Sequence, residues 1–414
     1  MRRWPELHAR GVCAGAAGSP PSPAGVGESI SEGSGERWPG RALRSLFVPP
    51  PGTFPSLDAL RTAAIVLVIG NHLATGGAEL APSSAWSFTL FRYGWTGVDL
   101  FFVLSGFLIG RQLLRELQRT ASVNVPRFLF RRGMRIWPLY FAWVAFLVLA
   151  LGKWQGIWPD LVFLSNYFQG RVSGGWSLST EEQFYLVVPL LLLGAHRLFG
   201  PRGLAWVPIV LLALMPVVRA VTLHGAGEAG FDRIYGPIHT HCDGLLVGLF
   251  LAWAAVKRPA SLSPEHPHPW RWPLVAIVGG FVLRGIDQAL FSFSGLALIY
   301  GGLVALGLRA GPRVKQLAAW RGFHVLSRLS YGMYLNHFEV LPRLLPRLTR
   351  ELVPLVGSGW VLAAIAYLVA IVSSALVAAV TFVLIEEPFL ALRERWEARH
   401  RPVRAVPPVL RRVS

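Results

Sequence analysis

Charge is scarce in this sequence. Only 15% of its 414 residues are Asp, Glu, Lys or Arg, while 53% are hydrophobic and the mean hydropathy is +0.46. A soluble domain carries about 25% charge, so a soluble enzyme, a coiled coil and a wholly disordered chain are excluded together. Cysteine is nearly absent too. Cys13 and Cys242 stand far apart, and no disulfide framework or metal cluster can be built from them. The first residues lack the apolar run of a signal peptide, and no internal repeat of fixed period argues for a solenoid. What is plentiful is aromatic: 16 Trp and 24 Phe suit a chain with two membrane–water interfaces to mark. The net charge of +18 is spread between apolar runs. It reads as membrane topology and not as a nucleic-acid surface.

Residues 1–56 are rich in Gly, Pro, Ser and Ala and are expected to form a disordered tail. From Leu57 onward about ten apolar stretches reach, or nearly reach, the length needed to cross ~30 Å of hydrocarbon. They lie near 57–75, 95–114, 134–152, 178–198, 203–222, 237–256, 272–287, 289–308, 324–342 and 358–385. The expected fold is therefore all-α, a polytopic helix bundle over 57–389 followed by a basic tail, 390–414. An even number of spans puts both termini on one side. With that side cytoplasmic, the inner segments hold 29 Arg and Lys and the outer loops 9, as the positive-inside rule requires. Arg343, Arg347 and Arg350 are a local contradiction. The expected location is the plasma (inner) membrane, crossed many times.

Ionisable side chains inside apolar helices are costly and mark functional sites by default. Asp58, Arg61 and His72 fall on one face of the first helix when residues are spaced at 100°. Arg61 and His72 are three turns, ~16 Å, apart. Histidine is suited to take and return a proton near neutral pH. The blander reading is an Asp58–Arg61 pair capping the helix and an interfacial histidine. Asp99, in the run Gly97–Gly110, is a second candidate, unless it merely caps its helix; Gly106 and Gly110 have the spacing of close helix packing. Arg127, Arg131, Arg132 and Arg135 offer planar forks for phosphate oxygens, or serve only as topogenic charges. Glu181 and Glu182 follow Ser and Thr as in a helix N-cap, leaving a catalytic or orienting role open for Glu181. His239, His241 and Asp243 have metal-ligand side chains, but no metal is assigned to them. Ser330–His337 and Glu386-Glu387-Pro388 complete the polar groups in apolar surroundings.

Taken in order, these motifs resemble the membrane acyltransferase family 3, which acylates sugars and other hydroxylated molecules. The resemblance rests on Arg61-x10-His72, GVDLFFVLSGFLIG at 97–110, RRxxRIxPLY at 131–140, WSLSTEEQFYLVVP at 176–189, SYGMYLNH at 330–337 and EEP at 386–388. It extends from about Leu57 to Phe389. It implies roughly ten transmembrane helices and transfer of an acyl group, acetyl or longer, from acyl-CoA to a hydroxyl. The acceptor would be a cell-envelope polysaccharide, a lipid-linked sugar or a glycosylated small molecule. His72 would be the essential histidine, Arg61 its partner, Arg132 and Arg135 the donor-associated run, and Glu181 the acidic residue of the WxLxxE motif. Acyl-CoA enters as a substrate, and no tightly bound cofactor is expected. One position departs from the pattern: His241 stands where the family has Arg, two residues before Asp243. No hydrolase-like domain is expected after Phe389.

The chemistry agrees with the resemblance. An alcohol needs a base in the transition state, and a thioester already carries its leaving group. His72 would act either as that base or as a transient acyl carrier. A transporter or lipid-linked sugar flippase is the competing class, distinguished by solute flux without consumption of acyl-CoA.

Overall fold

The computed structural model describes residues 38–76, 91–224, 230–357 and 359–400. Two compact units divide the chain, Met1–Arg41 and Ala42–Ser414, and the helical bundle belongs to the second. Most of the tail expected at 1–56 lies outside the described residues. A helix nevertheless occupies Gly40–Phe47. Ala42 and Leu46, one turn apart, are both buried and give it the apolar anchor that the composition of the tail conceals.

Among the described residues there is no strand. Each of the ten apolar stretches coincides with a helix: α1 Pro55–Gly76, α2 Gly97–Thr120, α3 Val125–Leu149, α4 Gly175–Gly203, α5 Trp206–Leu223, α6 Asp243–Lys257, α7 Arg271–Ile286, α8 Gln288–Leu308, α9 Arg321–Val356 and α10 Trp360–Thr381. Among the described residues six spans are long and apolar enough to cross a membrane: Pro55–Thr75, Gly94–Thr120, Gly175–Gly203, Trp206–Leu223, Gln288–Leu308 and Trp360–Arg399. The other four fall short by charge or length. α3 carries Arg127, Arg131, Arg132 and Arg135 in its first turns, α9 carries nine Arg, His and Glu residues among its 36, and α6 and α7 have only 15 and 16 residues. A π-helical turn, Phe382–Glu386, leads from α10 into a terminal helix, α11, Glu387–Arg399.

The core is centred on α2. Of its apolar window 72% is buried, against 17% for α5, whose Val210, Leu214, Val217 and Val221 face outward as lipid-facing residues do. The partner of α2 is α6, and glycines on both helices set their distance. A Cβ on Gly106 would stand 2.1 Å from the Leu245 carbonyl oxygen, and one on Gly248 2.2 Å from that of Val103. No side chain fits between these backbones. The Gly106–Gly110 spacing is thus a packing seam, answered from α6 by Gly244 and Gly248.

Candidate functional site

The polar face of α1 is turned on α9. Asp58 accepts hydrogen bonds from Ser327 Oγ at 2.8 Å and pairs with His324 Nδ1 at 3.1 Å. It does not form the helix-capping pair with Arg61. Arg61 reaches Ser327 Oγ at 3.5 Å, and His72, farther along, lies 3.0 Å from His337 Nε2 through its Nδ1. One helical period therefore delivers all three side chains to one neighbour.

At the Arg61 end the bundle encloses a cavity of about 150 Å³. α1 contributes Arg61, α3 contributes Arg132 and Arg135, α4 contributes Glu181, α9 contributes Arg328, and the π turn contributes Glu386. Four guanidiniums against two carboxylates leave the lining cationic. Glu181 is held rigidly, for Ser105 Oγ donates to it at 2.8 Å and the Tyr185 hydroxyl at 2.5 Å. The arginines are held loosely. Among the described residues Arg132 has one bond, to Gln112 Oε1 at 2.6 Å, and its buried Nε has no partner. Arg328 lies over the Phe382 ring at 5.3 Å, with its Nε likewise unpartnered. Exposed Arg135, which makes no hydrogen bond among the described residues, marks the mouth.

The N-cap reading of Glu181 is corrected by where α4 starts. Gly174, at φ 74°, turns the chain into the helix before Leu178, and no side chain caps it. Ser177 instead bonds the Tyr334 hydroxyl at 2.6 Å, and Glu181 lands in the second turn, facing inward. Asp99 does not cap α2 either. It pairs with His241 Nε2 at 2.9 Å, both side chains fully buried.

Arg127 and Arg131 do not line the cavity. At 100° per residue Arg127 is turned about 140° from Arg132 along α3, and Arg131 pairs with Glu397 of α11 at 2.9 Å. His72 is absent from the lining as well. It sits beyond Tyr334, which lines the cavity and whose ring is 5.9 Å from that of His337. The sequence reading missed Arg328 and Glu386 as lining residues, and a polar residue on an apolar helix was the available signal for both. It also missed Arg219, which fully buries its side chain in α5 and forks onto Asp243 at 2.9 and 3.1 Å. His239, His241 and Asp243 point three ways, to Tyr167, Asp99 and Arg219. Among the described residues no group of three His, Cys, Asp or Glu is placed to hold a metal.

A bundle of membrane-length helices around an ion-lined internal cavity defines an integral membrane protein with a buried polar site. Residues 54–381 match the acyltransferase domain family, and the chain belongs to it. Among its relatives, the O-acetyltransferase OatA of Staphylococcus aureus is 23% identical over 377 residues, 82% of this chain and 57% of that protein. The putative peptidoglycan O-acetyltransferase YrhL of Bacillus subtilis is 27% identical over 322 residues, 69% of this chain and 48% of that protein. The peptidoglycan O-acetyltransferase OatA of Listeria monocytogenes is 24% identical, covering 69% and 49%. The chain thus spans about half the length of the curated relatives it matches. No solved structure matches it.

Proposed function

We propose that this protein is a plasma-membrane O-acyltransferase that moves an acetyl group from acetyl-CoA to a sugar hydroxyl of a cell-envelope glycan of the peptidoglycan type. The observation that carries the reading is the cavity. Arg61, Arg132, Arg135 and Arg328 converge on it with little of their hydrogen-bonding capacity used, which suits a polyphosphate donor. The names of the relatives support the acetyl group and the glycan. In this reading all ten helices cross the membrane, both termini are cytoplasmic, and the donor's phosphates enter from that side.

His72 takes the chemical role. As base, it removes the acceptor's proton while the oxygen attacks the thioester carbonyl; as carrier, it first takes the acetyl group itself. Glu181, fixed by Ser105 and Tyr185, lines the same cavity as Arg61 and offsets part of its positive charge. Asp99, through His241, supports the α2–α6 wall. The test is mass spectrometry of envelope glycans from cells carrying wild type or His72→Ala at equal membrane levels. Acetyl mass shifts lost in the variant are expected. Modification that persists overturns the role of His72, and solute flux by purified protein without consumption of acetyl-CoA overturns the enzyme reading. Acetyl labelling of His72 without acceptor separates carrier from base.

A further inference from the structure

The proposed reaction leaves His337, the last residue of the Ser330–His337 motif, without a role. Its side chain is fully buried, and both ring nitrogens are engaged. Nδ1 lies 3.0 Å from the Met333 carbonyl oxygen. A carbonyl only accepts, so the proton of His337 is on Nδ1. Its Nε2 is then the bare nitrogen, and it faces His72 Nδ1 at 3.0 Å. Two bare nitrogens cannot bond each other, so His72 donates from Nδ1. A neutral imidazole has one N–H. The Nε2 of His72 therefore carries the lone pair, and the ring's one N–H is also within reach of the Val68 carbonyl one turn back, which only accepts.

Neither ring has a carboxylate partner among the described residues. Here the pair differs from His241 on Asp99 and His324 on Asp58, and both rings are accordingly neutral. Packing fixes their planes. Phe338 lies 4.4 Å from the His72 ring and 4.1 Å from the His337 ring, centroid to centroid. Phe338 and Tyr334 are pressed in turn by Gly174, where an added Cβ would come within 2.8 Å of each.

We propose that His337 is a positioning residue: it holds His72 in the Nδ1–H tautomer and so makes Nε2 the reacting atom. This rests on the catalytic reading of His72. As the acceptor O–H bond breaks, its proton passes to His72 Nε2 and the oxygen bonds the thioester carbonyl carbon. The C–S bond then breaks, and the departing thiolate recovers that proton from Nε2. Throughout, the Nδ1–H bond to His337 is unbroken, so the imidazolium keeps a partner in an apolar site. On the carrier route the same tautomer leaves Nε2 as the nucleophile.

The test reads the tautomer without requiring turnover. Full-length protein labelled with ¹⁵N-histidine is reconstituted in nanodiscs, and the His72 side-chain signals are assigned by their loss in His72→Gln. A protonated Nδ1 and a bare Nε2 are expected in the wild type. His337→Leu, which removes the imidazole acceptor and leaves the Val68 carbonyl as the remaining one, should shift the population toward Nε2–H and lower kcat about 100-fold, the low end of what a positioned base contributes, with donor KM unchanged. His337→Gln, whose amide oxygen restores an acceptor, should recover about tenfold of that loss. A wild-type His72 protonated at Nε2 overturns the proposal even if the Leu variant does not fold. Equal kcat in His337→Leu and wild type overturns it as well. A correct tautomer together with full activity of His72→Ala leaves the geometry standing and refutes the catalytic reading instead.

Discussion

Arg219 and the cavity arginines are both guanidiniums inside a membrane bundle, yet they are treated in opposite ways. The two Nη atoms of Arg219 make four bonds, to Asp243 twice, to the Thr240 carbonyl and to Ser294. The cavity set is left short: Arg61 has one long contact, Arg132 one good bond, and Arg135 none among the described residues. The Nε of Arg219 is without a partner among the described residues, as in Arg132 and Arg328, but a buried ion forked onto a carboxylate serves the fold, because that partner already answers its charge. An ion placed in a cavity with donors to spare leaves that work to a molecule that comes and goes. The difference separates structural from binding charge without reference to any relative.

The comparison can be attacked from its strong side first. Arg219→Met leaves the Asp243 carboxyl with the Ser294 hydroxyl but no cation and should cost about 3–5 kcal/mol, read as a lower unfolding midpoint in detergent. Arg219→Met with Asp243→Leu removes both charges and should recover most of that loss, since a buried pair exchanged for apolar side chains is often near neutral. A double variant no better than the single would mean that Arg219 does more than satisfy Asp243. Next, Arg135→Ala and Arg328→Ala should each raise the KM for acetyl-CoA about tenfold, ~1.4 kcal/mol, with the unfolding midpoint unchanged. If the midpoint falls instead, these arginines are structural and the contrast with Arg219 fails. The smallest effect is expected for Gln112→Ala. It frees Arg132 from its one partner, at about 1 kcal/mol of stability, and leaves donor binding within about twofold.

What could be read from the sequence followed helical period. Asp58, Arg61 and His72 share a face because 100° per residue places them there, and the structure turns that face on α9. The glycines of α2 were legible for the same reason. Contacts between helices were not. Nothing in the chain tells Arg219 that Asp243 is its partner on another helix, or tells Glu386 that a π turn will swing it into the cavity. The start of α4 was misplaced because Ser and Thr before Glu imitate a cap, while the true signal was a glycine in the left-handed region. His337 was visible as a polar residue in an apolar run, but its meaning depends on a nitrogen 3.0 Å away on another helix.

The glycine seam between α2 and α6 has a mechanical corollary. Two backbones that admit no side chain between them behave as a keel, and one wall of the cavity, with Ser105 and Phe102 on it, is fixed to that keel. Two of its other walls are less regular: α3 carries Pro138 within the helix, and in the segment before α11 a π turn replaces α-helical pitch, a form of winding recurrent at functional sites. The arginines at 132 and 135, with Glu386, thus line the cavity from its irregular side, and Ser105 and Phe102 from the keel.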